Sequence, residues 1–291
     1  MDFLKDDLEA IEVEAFKKGK FAFYNYIFIG EVNNDGCKLE SSKGLSNLIE
    51  EGDMGYQINW CDLSRDYYIT NEIKSLTGKL KRKLKRKTRV LDIGCGKSET
   101  LLTVYKSKVR IEYHGIDLNQ KDIIKTIDKI KTSEPYYLYV HNVNAGLPFV
   151  DEYFDVVLML DIIEHMPTLK DGEKLLKEAL RVADPEARIY LTTPNKDNAD
   201  EGKEFVCKRS HDHEYTRKQI LNIFKKNKLE VIHEFCSWLS DKNYKKIVKK
   251  GDKFAKKLYE GRVGSNVAKL ETVSNFYPEY AKELFYVLKK C

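Results

Sequence analysis

Proline is scarce in this chain, six in 291 residues, and no Pro- or Ser-rich stretch marks a flexible linker. No internal repeat is present either, which excludes a solenoid or propeller. Long apolar runs are also missing. The stretch Phe21 to Gly30 is far shorter than the ~20 residues a membrane-spanning helix needs, so no transmembrane segment is expected. The six cysteines (37, 61, 95, 207, 236 and 291) contain no Cys-x-x-Cys pair and no metal-ligand spacing. Such usage predicts reduced, structural thiols. The acidic start, Met1 to Asp7, has no secretory leader pattern, and with the cysteines it predicts a cytoplasmic protein. Charge of one sign is lacking too. The 51 basic residues are nearly balanced by 46 acidic ones, and a net charge of +5 does not indicate a general polyanion binder.

What is present is concentrated in Val90-Leu91-Asp92-Ile93-Gly94-Cys95-Gly96-Lys97-Ser98. An apolar run ends in a carboxylate and enters a loop of very small residues, after which helix formers resume at Glu99. Gly94 and Gly96 allow a sharp turn and close approach of a ligand to the backbone. The spacing Gly-x-Gly-x-Ser differs from the Gly-x-Gly-x-x-Gly of nicotinamide sites. A second strand, Ile111 to Ile116, runs into Asp117 and Leu118. A carboxylate closing the second strand of a doubly wound sheet is suited to a ribose, because it accepts two hydrogen bonds. Asp117 as a simple helix-capping acid is the alternative. Next comes His141-Asn142-Val143-Asn144-Ala145-Gly146-Leu147-Pro148-Phe149. The run Phe154 to Leu160 is uninterruptedly apolar, as befits a parallel strand covered on both faces, and Asp161-Ile162-Ile163-Glu164-His165 follows it.

This series, continued by a helix over Asp171 to Val182, a strand over Ala187 to Thr193 and His211-Asp212-His213-Glu214-Tyr215-Thr216, resembles the class I S-adenosylmethionine-dependent methyltransferases. It is similar to the broad group that includes ubiquinone-type O-methyltransferases, over roughly residues 66 to 236 plus the last strand. The resemblance implies a Rossmann-like, doubly wound α/β fold. Its mostly parallel seven-stranded sheet would have the last strand antiparallel. S-adenosylmethionine is the implied cofactor, held by Asp92, Gly94, Cys95, Gly96, Asp117, Leu118, Asn142, Val143 and Leu160. The family often has an acid at Asn142, where it takes the adenine amino group. The amide oxygen of Asn142 retains that accepting ability. Cys95 suits the loop through its small size alone.

Strand and helix patterns alternate along the chain, as a parallel sheet with right-handed crossovers requires. A helix is expected over about Asn71 to Lys87, with Ile73, Leu76, Leu80 and Leu84 on one stripe. Thr216 to Gln219 has the capping-box pattern. Leu229 to Cys236 and Glu283 to Lys289 are the next and last strands. Residues 237 to 280, rich in lysine, form a helical cap insertion of the kind that lines substrates in this family. Residues 1 to 65 are an N-terminal extension with a hairpin, Lys20 to Val32 and Cys37 to Ser41, around Asn33-Asn34-Asp35-Gly36, and 66 to 291 the methyltransferase domain.

The function expected is methyl transfer to an oxygen or nitrogen acceptor, most simply a small molecule. His165 or His211 would act as general base and Glu164 would orient it. No metal is assigned. The alternative is a divalent ion on Asp161, Glu164, His165 and His211. It resembles the site of small-RNA 3′-terminal 2′-O-methyltransferases, which have Glu where this chain has Asp161. A silent regulatory or scaffold protein that only binds the cofactor is the reading from another class. Lys79 to Arg89 holds eight basic residues in eleven. It is either a nucleic-acid or anionic-lipid contact or the solvated face of the helix just named. No aromatic residues interleave with the charges to stack on bases.

Overall fold

A computed structural model of the chain describes residues 60–84, 86–106, 108–129, 136–198, 213–261, 269–270 and 273–291. The expected N-terminal hairpin and His211 lie outside the described residues. Two compact units are formed, one from Ile69–Glu234 with Lys282–Cys291, the other from Phe235–Ala281 with the chain up to Tyr68.

The first unit is built on one sheet. Its strands are β1 (Thr88–Ile93), β2 (Ile111–Asp117), β3 (Tyr136–Val140), β4 (Phe154–Leu160), β5 (Ala183–Pro194), β6 (Leu229–Ser237) and β7 (Glu283–Lys290). The helices in chain order are α1 (Trp60–Leu84), α2 (Glu99–Lys106), α3 (Gln120–Lys129), α4 (Leu169–Val182), α5 (Arg217–Lys226), α6 (Asp241–Lys249) and α7 (Lys253–Glu260). The strand order is β3-β2-β1-β4-β5-β7-β6. β1 to β5 pair in parallel, while β7 runs antiparallel to β5. This is the expected doubly wound arrangement, with the last strand reversed. The order turns back at β1 and β4, and in open sheets of this kind ligands bind outside the C-terminal ends of the strands at that point. Leu91, Ile93, Val157, Met159, Ile189 and Leu191 fill the centre of the sheet and are fully buried. Each contributes roughly 1.5–3 kcal/mol relative to an exposed position.

Three boundaries differ by three residues or more from those expected. α1 begins at Trp60, eleven residues before Asn71. No Gly or Pro interrupts Trp60 to Asn71, and Ile69 and Ile73, one turn apart, are both fully buried. α1 also stops at Leu84, short of Lys87. Arg86 turns back instead to Asp155, giving Nη1–Oδ2 at 2.6 Å and Nη2–Oδ1 at 2.9 Å. Asp155 takes a third bond from the Arg89 N–H, at 2.8 Å. β5 starts at Ala183, not Ala187, because Ala183 pairs with Phe154 before an Asx turn in which Glu186 N–H donates to Asp184 Oδ1 at 2.8 Å. The sequence Asp184-Pro185 reads as a turn, and the turn lies inside the strand's bounds.

These contacts bear on the basic run. Arg86 is paired bidentately to a buried carboxylate. Arg89 lies 3.4 Å from Glu112 and stacks 4.0 Å above the Tyr153 ring. Two of the eight basic residues therefore serve the fold.

On the outer strands, His114 of β2 is buried among Tyr137, Tyr139, Phe149, Tyr153 and Phe154. Its Nε2 lies 3.1 Å from Glu112 Oε1 and its Nδ1 3.1 Å from the Tyr139 hydroxyl. A carboxylate only accepts, so the proton sits on Nε2 and Tyr139 donates to Nδ1. Burial pushes the imidazole below its usual range. The unfolded chain thus binds this proton more readily than the folded one. Stability is unaffected above about pH 6.5 and falls as pH drops from there toward the lowered folded value. Urea denaturation at about pH 7.5 and about pH 5.5 should show a larger acid loss for wild type than for His114→Asn. Equal losses would remove His114 as a cause.

The second unit has its own core of Leu239, Ile247, Ala255, Leu270 and Val273, with Tyr244 stacked on Tyr259 at 4.4 Å. α6 and α7 start on side-chain caps, Ser240 accepting from Asn243 N–H and Asp252 from Phe254 and Ala255 N–H. Tyr277 donates to Asp252 Oδ2 at 2.7 Å, which fastens the chain beyond α7 to its first turn.

Candidate active site

β1 ends at Ile93, and the next two N–H groups, of Gly94 and Cys95, both donate to Ile116 O at 2.8 and 3.2 Å. This ties the loop to the end of β2. Gly94 (φ +76°) and Gly96 (φ +49°) use left-handed backbone. A Cβ on Gly94 would lie 2.6 Å from Ile162 Cδ1, whereas one on Gly96 would meet nothing within 4 Å. Gly94 is thus needed for packing, and Gly96 leaves open space in front of the loop. Ser98, which precedes α2, is also left-handed at φ +52°.

Asp117 holds this loop from the side. Gly96 N–H donates to its Oδ2 at 2.7 Å and Asn119 N–H to its Oδ1 at 2.7 Å. A carboxylate has about four lone-pair sites, so each oxygen keeps one. Leu118 beside it is 68% exposed, an unusual state for a leucine at a strand end. His141 N–H donates to Asp117 O at 2.9 Å, which brings the end of β3 alongside. Asn142 is exposed, and its Oδ1 caps a single 3₁₀ turn, Val143–Ala145, by accepting from Asn144 N–H at 3.0 Å.

Two expected cofactor residues face inward. Asp92 is buried and accepts from the Tyr113 hydroxyl at 2.5 Å. Burial, reinforced by this carboxylate, pushes the Tyr113 phenol well up. The Cys95 sulfur points to β2, where a Cβ on Gly115 would come within 2.9 Å of it. Burial, then the nearby Asp92, raises the thiol far above its ordinary range, which keeps it protonated. Both side chains support the loop from beneath. Leu160 is half-buried at the end of β4.

Beyond β4 the carboxylates diverge. Asp161, left-handed at φ +51°, accepts from Thr192 Oγ1 at 2.7 Å and donates its N–H to the same oxygen at 3.0 Å. Glu164 is fully buried, with the Thr193 hydroxyl 3.3 Å from its Oε2. Thr192 and Thr193 are consecutive on β5 and point to opposite faces. His165 closes a 3₁₀ turn, Ile163–His165, and is half-buried. Among the described residues, no group of three or more His, Cys, Asp or Glu is placed to hold a metal ion. No helix among them is long and apolar enough to cross a membrane.

Residues outside the expected cofactor and catalytic set also shape this edge, among them the Thr216 cap that the sequence already marked. His213 donates its N–H to Glu164 O at 3.0 Å, and its Nε2 lies 2.5 Å from Pro167 O. Thus the segment after β5 grips the turn after β4. Tyr215 is fully buried against Gly172, and Thr216 makes the full capping box with Gln219. Gly172, a helix-weakening residue inside α4, was the available signal.

Comparison with known proteins identifies the family. Residues 65–247 match the family described as a methyltransferase domain. The norajmaline N-methyltransferase of Rauvolfia serpentina is 34% identical over 109 residues, which are 37% of this chain and 36% of that protein. The chloroplastic tocopherol O-methyltransferase of Arabidopsis thaliana is 29% identical over 205 residues, 67% of this chain and 54% of that protein. In both cases the match spans less than two thirds of the relative. A proposed sarcosine dimethylglycine methyltransferase from Galdieria sulphuraria shares the fold at a TM-score of 0.54 and 14% identity, covering 92% of this chain and 97% of that one. The (4+2)-cyclase SpnF does so at 0.51 and 18% identity, covering 82% and 84%. A cyclase on this fold shows that architecture alone does not fix the reaction. With its family match spanning well over half of the sequence, the chain belongs to the class I methyltransferases, whose cofactor is S-adenosylmethionine.

Proposed function

We propose that the protein transfers a methyl group from S-adenosylmethionine to an oxygen or nitrogen of a small-molecule acceptor. The observation that carries this reading is Asp117. It ties the glycine loop of β1 to the end of β2 and keeps a lone pair on each oxygen. Two ribose hydroxyls match that donor requirement. The open space before Gly96 and the exposed Leu118 suit an adenosine lying across the strand ends. Asn142 and Val143 N–H would meet the base.

The cofactor supplies a methyl group already activated on a sulfonium. The protein must align the acceptor and exclude water, which is catalysis largely by proximity. For a hydroxyl acceptor, His165 or His211 would take the proton, with Glu164 orienting the imidazole. A nitrogen acceptor can react from its neutral form without such a base. The cytoplasmic location inferred from cysteine usage belongs to the same reading. Relatives named for N- and O-methylation argue equally for both acceptor atoms.

The test is turnover on a screened panel of phenols, amines, sugars, nucleic acids and proteins. Alanine at His165 or His211 should lower turnover on a hydroxyl acceptor by ~10²-fold, with cofactor affinity unchanged. Wild-type turnover in the double variant would leave alignment as the whole mechanism. Turnover should survive chelation. Activity on RNA 3′ ends that a chelator abolishes and Mg²⁺ restores would favour the metal-assisted alternative. Against it stands the divergence of Asp161 and Glu164 onto different threonines. Cofactor binding without conversion on any acceptor would favour the silent scaffold.

A further inference from the structure

The turn that joins β3 to β4 lacks the helix that usually covers such a crossover. It has one 3₁₀ turn, and none of that turn's residues is buried. Leu147 is buried in the core and Val143 and Phe149 pack against it, while polar contacts hold the backbone between them. We propose that Glu178 and Arg181 of α4 form a clamp that fixes this turn and thereby sets the preference for adenine. The inference rests on the methyltransferase reading, because that reading places the base at Asn142 and Val143.

Every N–H of the Arg181 guanidinium is engaged. Nε donates to Glu178 Oε1 at 2.9 Å and Nη2 to Glu178 Oε2 at 2.8 Å, a fork-to-fork pair. Nη2 also reaches Leu147 O at 2.9 Å, and Nη1 reaches Phe149 O at 2.8 Å and Asp151 Oδ1 at 2.7 Å. Glu178 Oε2 in turn accepts from Leu147 N–H at 3.0 Å. The Asp151 arm is 72% exposed and contributes little. The contacts to Leu147 and Phe149 are different in kind, because they grip backbone.

At the other end, His141 Nε2 lies 2.8 Å from Gly146 O. Between these anchors, Ala145 N–H donates to Asn142 O at 3.0 Å and Gly146 N–H to Val143 O at 3.1 Å. Gly146 has φ +93°, and a Cβ there would lie 3.3 Å from Glu178 Oε2. The turn thus passes directly over the clamp. Arg181 holds the Glu178 carboxyl down at about 2, so the pair stays charged at neutral pH. Lysine cannot replace the fork, since a single ammonium cannot span two carbonyls and a bidentate carboxylate.

The experiment compares binding of S-adenosylhomocysteine and S-inosylhomocysteine by calorimetry on the full chain. The second probe lacks the exocyclic amine. Its C6 carbonyl and N1–H also exchange donor and acceptor along that edge, so wild type is expected to prefer the adenosyl form by about tenfold or more, the scale of one to two hydrogen bonds. In Arg181→Lys and Glu178→Gln that preference should fall toward unity, most of the loss coming from the adenosyl ligand. Glu173→Gln, on the same helix but paired with Lys177 and Lys226, should keep the wild-type ratio. A folded Arg181→Lys or Glu178→Gln protein with the wild-type ratio overturns the inference. If Arg181→Lys fails to fold, the more conservative Glu178→Gln decides. Wild type binding both probes equally would end the clamp proposal and leave the methyltransferase reading standing. Binding of neither would end both.

Discussion

Gly172→Ala is expected to destabilise the protein by about 3 kcal/mol or more, a large effect for one methyl group. The added Cβ would lie 2.1 Å from the Tyr215 hydroxyl oxygen, 3.0 Å from Ile163 Cγ1 and 3.3 Å from Ile163 O. In an exposed helix the same change would gain about 1 kcal/mol of propensity. Here the clash wins, because nothing around it can yield. Tyr215 is fully buried, bridged to Asn195, and its carbonyl accepts from Lys196 N–H at 2.9 Å. Ile163 begins the turn that carries Glu164 and His165, so the displacement reaches the candidate catalytic residues.

The Tyr215 hydroxyl has no hydrogen-bond partner among the described residues, and burial followed by the charge of Glu164 pushes its phenol up to about 12. Its oxygen is desolvated with no compensating bond, which costs about 1–3 kcal/mol. Tyr215→Phe alone should therefore be neutral or stabilising. Combined with Gly172→Ala it should recover most of the loss, leaving a residue from the Ile163 contact. Chemical denaturation of the three variants measures this. A clearly destabilised Tyr215→Phe protein, or a double variant no better than Gly172→Ala, would refute the account.

Asp117→Asn should weaken binding of S-adenosylhomocysteine by ~10²-fold while changing thermal stability little. On the proposed function, two charge-assisted bonds to the ribose would weaken, each worth about 1.5–3 kcal/mol. Position 117 is half-buried, so the fold tolerates the isosteric amide. The amide also brings N–H groups to a site where Gly96 and Asn119 already donate, so one of the two loop contacts must be lost. Calorimetry on a variant of normal melting temperature is the measurement. Undiminished affinity there would remove Asp117 from the cofactor site.

Sequence alone determined what local chemistry controls. The apolar runs of β1 and β4 reflect strands covered on both faces. Gly94 and Gly96 stand where the backbone turns left-handed, and Thr216 with Gln219 caps α5 through a motif four residues long. Asp117 was legible as the acid that closes β2, though its hold on the Gly96 N–H was not.

Only the tertiary structure decided where the other polar groups go. Asp92 turned to Tyr113, Asp161 to Thr192 and Arg86 to Asp155, over separations of 21, 31 and 69 residues. Strand register sets such pairings, and a slip of one residue would send each side chain to the opposite face. That is why neighbouring threonines part Asp161 from Glu164, although the two acids stand three apart in the chain. The fit of Gly172 to Tyr215, and the hold of α4 on the turn after β3, likewise exist only once the helix is docked on the sheet.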